Sequence, residues 1–112
     1  MSNAKFQPRA FVNDEIFAAL DALRNGNFAY RMPMNVAGNG HKVARLFNEI
    51  MEMNVAMATE LERIREQVTA RGAIPSKANI PGAAGSWVAC LGAINALVDR
   101  LGHPVPDALS AG

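Results

Sequence analysis

Residues 41–71 read HKVARLFNEIMEMNVAMATELERIREQVTAR, and this stretch decides the fold. It contains no glycine or proline, and apolar residues recur every seven positions in two interleaved sets, with one asparagine among them. The sets are Val43, Ile50, Met57 and Ile64, and Phe47, Asn54, Leu61 and Val68. A helix over these residues would be on the order of 45 Å long. A stripe of that length predicts coiled-coil-like packing against a partner helix.

Two shorter amphipathic helices are predicted on either side of this stretch. The first is expected to begin at Asn13, a favourable capping residue, and to end at Gly26. The third is expected to begin at Ser86 and to end at Gly102. Their apolar stripes step by three and four residues, as a helix requires. These stripes are Ile16, Leu20 and Leu23 in the first helix, and Trp87, Leu91, Ile94, Val98 and Leu101 in the third.

The two segments between the helices are rich in glycine and proline, which argues against a helix in residues 26–40 and 73–85. Apolar residues nevertheless alternate along the first segment, as an extended chain would present them. A lone strand is not stable, so both segments are predicted to be extended connectors. Their apolar side chains are expected to lie against the helices, in particular Phe28, Met32, Ile74 and Ile80.

The chain contains an internal repeat. Gly26 in the first half corresponds to Gly72 in the second, and residues 47–48 (FN) correspond to residues 94–95 (IN). Each half is therefore predicted to be a helix, a glycine, an extended connector and a helix, with the long middle helix shared. The expected boundaries are a tag scar or N-terminal extension over 1–10, units over 11–56 and 57–102, and a flexible tail over 103–112.

This pattern resembles the HAMP domain of histidine kinases and chemoreceptors. In the first half, the matching segments are 23–28 (LRNGNF), 31–33 (RMP) and 46–50 (LFNEI). In the second half, they are 72–74 (GAI), 78–82 (ANIPG), 85–87 (GSW) and 94–95 (IN), similar to the HAMP repeats of cytosolic poly-HAMP sensor kinases. Many HAMP domains carry an acidic Asp-Glu-x-Gly pattern before the second helix, and residues 38–41 (GNGH) depart from it.

The resemblance implies an all-α fold of parallel homodimeric four-helix bundles, with two stacked units sharing the long middle helix. Its connector motif maps onto Gly26, Phe28, Met32, Pro33, Gly72, Ile74, Ala78, Ile80, Pro81 and Gly82. The expected dimer core consists of Ile16, Leu20, Leu23, Val43, Phe47, Ile50, Asn54, Met57, Leu61, Ile64, Val68, Trp87, Leu91, Ile94, Val98 and Leu101.

The function that the resemblance implies is a signal relay. Such a module passes conformational change between the sensor and output domains of a dimeric receptor or sensor histidine kinase. The alternative is a static dimeric coiled-coil scaffold or adaptor without switching, and a weaker one is a fragment of an enzyme whose chemistry lies elsewhere. The chain itself is expected not to be an enzyme, because no nucleophile signature or phosphate-binding loop is present.

Composition sets the remaining expectations. Lys and Arg number 11 against 10 Asp and Glu, so no nucleic-acid partner is expected. No cofactor or metal is expected, because His41 and His103 lie in different segments without further ligands at metal spacing. The single Cys90 and the absence of a signal-peptide pattern indicate a cytoplasmic location. No segment is apolar enough to span a bilayer, so any membrane anchor of the parent protein would lie outside this chain.

Two further features of the long helix carry expectations. Asn54, a polar residue in the heptad, either fixes the register of the dimer or faces water after a local rotation. The charged run contains Glu60–Arg63 and Glu62–Arg65 at a spacing of three. These pairs are expected to stabilise an exposed helix face by a few tenths of a kcal/mol and to have no further role.

Overall fold

Three helices make up the secondary structure of the computed structural model, which describes residues 13–102. They are α1 (Asn13–Arg24), α2 (Gly38–Thr69) and α3 (Ser86–Gly102), and no strand occurs among these residues. The all-α prediction is therefore confirmed for the described part of the chain. The predicted extension over 1–10 and the predicted tail over 103–112 lie outside it.

Helix α1 begins and ends as its sequence predicts. Asp14 and Glu15 occupy its first turn, where negative charge is favourable to the helix dipole. At its end Gly26 adopts a φ of 78°, a left-handed conformation that side chains disfavour. The Asn27 N–H donates to the Ala22 carbonyl at 2.8 Å, so this end is a Schellman motif.

Helix α2 begins earlier than predicted, at Gly38 rather than His41, and ends at Thr69 rather than Arg71. The glycines over 38–40 hid the first turn, because periodicity marks only residues with apolar side chains. A glycine in a helix costs only about 0.5–1 kcal/mol, so two in the first turn do not prevent it from forming. At the other end, Gly72 has a φ of 62° and the Ala73 N–H donates to the Gln67 carbonyl at 2.9 Å.

The chain divides into two compact units, and the boundary falls inside α2 between Val55 and Ala56. The core of unit 1 is built by α1, the first connector and the first half of α2. Its buried residues are Ala19, Ala22, Met32, Val36, Ala44, Phe47 and Met51. Unit 2 has a smaller buried set, which consists of Pro75, Ala78, Ile80 and Val98.

In both connectors, alternate residues pack against the helices of their unit. Met32 and Ile80 are buried as predicted, with exposed fractions of 3% and 4%, and Phe28 is half-buried. The prediction for Ile74 is wrong within the single chain, since this residue is 65% exposed. The neighbouring Pro75 is buried instead, and successive residues of an extended chain point to opposite sides.

Candidate functional site: two connector anchors and the exposed helix faces

One asparagine in each unit holds the connector to the helix that follows it. In unit 1, Asn48 Oδ1 accepts the Met32 N–H at 2.8 Å and Asn48 Nδ2 donates to the Met32 carbonyl at 3.0 Å. In unit 2, Asn95 makes the same pair of bonds to Ala78, at 2.6 Å and 3.1 Å. We call these two arrangements the connector anchors. They occur at corresponding points of the repeat, because Asn48 directly follows Phe47 and Asn95 directly follows its counterpart Ile94.

An ion pair accompanies each anchor. Arg31 Nη2 lies 2.8 Å from Glu52 Oε2 in unit 1, and Lys77 Nζ lies 3.7 Å from Asp99 Oδ2 in unit 2. The basic residue precedes the anchored connector residue, and the acidic residue follows the anchoring asparagine by four positions. These four charged residues were missed in the sequence, although their recurrence at the repeat spacing was a usable signal.

Helix α2 also holds the second connector, through Glu60 and Arg63. Arg63 donates to the Ser76 hydroxyl at 3.1 Å and to the carbonyls of Ser76 and Lys77 at 3.2 Å and 3.3 Å. The carboxylate of Glu60 accepts the Asn79 N–H at 2.7 Å and pairs with Arg63 at 2.8 Å. The expectation that this pair has no further role is therefore wrong. We call this arrangement the Glu60–Arg63 clamp.

The Glu60–Arg63 clamp lowers the pKa of the Glu60 carboxyl. The Arg63 guanidinium, followed by the Asn79 N–H, holds the pKa of the Glu60 carboxyl below its ordinary value, and desolvation opposes this only in part. Glu60 is thus easier to ionise in the folded chain than in the unfolded chain. It contributes stability that is fully present above the unfolded pKa and is lost as the pH falls through the folded pKa.

This linkage predicts an acid-dependent loss of stability. At pH 7, Glu60→Gln should lower the free energy of unfolding by on the order of 1 kcal/mol, because it removes a charged partner of Arg63 and of the connector. The difference from the parent should shrink as the pH is lowered below 4.5, the ordinary pKa of glutamate. Urea unfolding of the parent and the variant at pH 7 and at a pH below 4.5 measures this difference.

Glu62→Gln is the matched control for this experiment. Within residues 13–102, Glu62 pairs only with the exposed Arg65 and makes no bond to the connector, so its loss should cost less than about 0.5 kcal/mol. An equal effect of the two substitutions would mean that the clamp contributes no more than an ordinary surface ion pair.

The residues predicted for the dimer core occupy three kinds of environment in the single chain. Phe47 and Val98 are buried within their own units. Half-buried members are Ile16, Leu23, Asn54, Met57, Ile64, Val68, Trp87, Leu91 and Ile94. Exposed members are Leu20, Val43, Ile50, Leu61 and Leu101. The last group is apolar surface that the described part of the chain leaves exposed.

Asn54 makes a side-chain hydrogen bond within its own helix. Its Nδ2 donates to the Ile50 carbonyl, one turn earlier, at 2.8 Å. Met53 and Met57 beside it are half-buried, whereas Met51 is fully buried in unit 1. One of the two amide N–H groups of Asn54 is thus bonded within its own helix, and neither alternative for this residue is decided by that bond.

Three further observations concern a pocket, metal ligands and membrane-spanning helices. An open pocket of about 250 Å³ lies along α1, lined by Phe17, Leu20, Asp21 and Arg24. Among residues 13–102, no group of three or more His, Cys, Asp or Glu side chains is placed to hold a metal ion. None of the helices in that range combines the length and apolar character needed to cross a membrane.

No protein-family model matches the chain, and no solved structure matches it significantly.

Proposed function

We propose that this chain is a HAMP-type signal relay that works as a parallel homodimer. It passes conformational change from a sensor domain on one side to an output domain on the other, in a cytoplasmic part of a receptor or sensor histidine kinase. The observation that carries the proposal is the recurrence of the connector anchor. Asn48 and Asn95 each make the same two hydrogen bonds to the main chain of their connector. The two halves of the chain therefore repeat in their contacts as well as in their sequence.

Exposed apolar surface supports the homodimer. Val43 and Ile50 lie seven residues apart on α2 and are 47% and 46% exposed in the single chain. Side chains at this spacing form the seam of parallel helix pairs. A second copy of the chain offers the same seam, so a two-fold axis would cover both at once.

The continuity of α2 supports the relay. The helix runs from Gly38 to Thr69 across the boundary between the units, and no glycine or proline interrupts it there. A rotation or shift in its first half has no flexible joint to absorb it. Two packings that differ by a few kcal/mol would be enough for a switch.

The static scaffold remains the second candidate, and the Glu60–Arg63 clamp favours it. The second connector is held by α2 through this clamp and by α3 through Asn95, so unit 2 has many bonds that resist rearrangement. A scaffold would keep one packing in each unit whatever happens in the other.

The test perturbs the boundary and measures each unit separately. Asn54→Leu removes a polar residue from the heptad, one position before Val55, the last residue of unit 1. Spin labels at Lys42 or at Ala96, both exposed, report the distance between the copies in unit 1 and in unit 2, in a Cys90→Ser background. A relay predicts that the distance distribution at Ala96 changes although the substitution lies in unit 1.

Ala58→Leu is the matched control, since it adds a leucine to an exposed position of the same helix. It should leave both distributions as in the parent. If Asn54→Leu stabilises the dimer and both distributions also stay unchanged, α2 is a rigid spacer and the scaffold is the better account.

A further inference from the structure

The Glu60–Arg63 clamp belongs to unit 2, and the sequence of unit 1 excludes a counterpart. The anchored connector residues Met32 and Ala78 are 46 positions apart, and this offset relates the two connectors and the helices that precede them. At the same offset, Asn79 corresponds to Pro33. The clamp accepts the Asn79 N–H, and proline has no N–H to donate.

The helix positions differ as well. Arg63 corresponds to Phe17, which is 63% exposed and has no donor, and Glu60 corresponds to the shorter Asp14. Another residue of α1, Ile16, packs against the core of unit 1, which includes the first connector. Apolar packing of this kind is not directional, so it resists sliding or rotation less than a set of aligned hydrogen bonds does.

The contacts of the clamp in unit 2 are directional and partly shielded from water. The side chains of Glu60 and Arg63 are 18% and 30% exposed. Arg63 bonds to residues 76 and 77, and Glu60 bonds to residue 79, so four consecutive connector residues include three that α2 holds. A shift of α2 by one residue, about 1.5 Å along its axis, would carry these atoms out of hydrogen-bonding distance.

We infer that the clamp fixes the second connector to α2 as one body, whereas in unit 1 the corresponding helix α1 can shift against its connector. The first connector is instead bonded to α2, through Asn48 and the Arg31–Glu52 pair. Helix α2 thus holds both connectors. In the proposed relay, on which this last step rests, α1 moves first and unit 2 rearranges only when the clamp opens.

Hydrogen exchange at single amides of the full chain, measured by NMR, tests the clamp. Glu60→Ala should accelerate exchange of the Ala78 amide by roughly tenfold, because the connector then opens more often. The direct partner of that amide, Asn95, is untouched by the substitution, so the change reports release of the connector. The Met32 amide in unit 1 should exchange as in the parent.

A control and a transplanted clamp sharpen the test. Glu62→Ala removes a neighbouring acid that pairs with the exposed Arg65, and it should leave the Ala78 amide unchanged. Asp14→Glu, Phe17→Arg and Pro33→Asn together supply unit 1 with the clamp residues. This triple variant should slow exchange of the Met32 amide by a similar factor relative to a variant that has the first and third substitutions alone.

Two results in Glu60→Ala would overturn the inference. One is an unchanged rate at Ala78. The other is an equal acceleration at Ala78 and at Val98, since a general loss of stability in unit 2 would then explain both. A transplanted clamp that fails to slow Met32 relative to its control would overturn the account of unit 1.

Failure of the relay is distinguishable from failure of the clamp, because the exchange rates report contacts within one chain. Spin-label distances at Ala96 test the relay, with Asn54→Leu as the perturbation in the parent and in Glu60→Ala. A larger response in Glu60→Ala is expected. If Ala96 responds in neither while the exchange results hold, the relay fails and the clamp stands. An equal response in both would overturn the last step, in which the clamp restrains unit 2.

Discussion

Replacement of Ile50 by glutamate should dissociate the dimer. Ile50 is 46% exposed in the single chain, so the substitution leaves most contacts within unit 1 in place. In the proposed seam it would bury two like charges close to the two-fold axis. An unpaired buried charge costs about 3 kcal/mol or more, which corresponds to a rise in the dissociation constant of roughly a hundredfold or more.

Sedimentation equilibrium at micromolar concentration measures this change, and circular dichroism reports whether the separated chains keep their helices. Thr59→Glu adds the same charge to an exposed polar position of α2 and should leave the parent assembly intact. Dimerisation of Ile50→Glu with the affinity of the parent would exclude this face from the interface.

Removal of either connector anchor should cost about 1–3 kcal/mol of stability. Asn48→Ala leaves the N–H and carbonyl of Met32, a residue only 3% exposed, without their partners, and Asn95→Ala does the same to Ala78. A polar group that loses its partner in a dry environment costs about this amount. Thermal and urea unfolding of both variants should show comparable losses, because the bonds are the same.

Asn39→Ala is the control for general effects of replacing an asparagine, since residue 39 is exposed in the first turn of α2. Its effect should stay within about 0.5 kcal/mol. If all three variants unfold at the same denaturant concentration, water replaces the anchors at no cost and the connectors are held by their apolar residues alone.

The helices were predictable because their signals are local. Spacing of three and four residues, a capping asparagine and a terminating glycine defined α1 to within two residues of its end at Arg24. The glycines at 38–40 defeated the same reasoning at the start of α2, since a residue without a side chain adds nothing to a periodic pattern.

Contacts between distant segments could not be read from spacing. The clamp depends on where the second connector passes α2, and nothing around Glu60 or Arg63 in the sequence specifies residues 76–79 as their partners. Helix α3 presents a related difficulty, because it is apolar on several sides. Its periodicity identified Val98, which the chain buries itself, but could not distinguish it from a second apolar line along Leu97.

The anchors have a consequence for how this architecture tolerates change over time. Each asparagine pairs with peptide groups, and a peptide group is the same whichever side chain it carries. The two connectors already illustrate this freedom, with methionine at one anchored position and alanine at the other. Connector residues can therefore diverge widely while the unit keeps its form, provided that an amide remains at the matching place on the following helix.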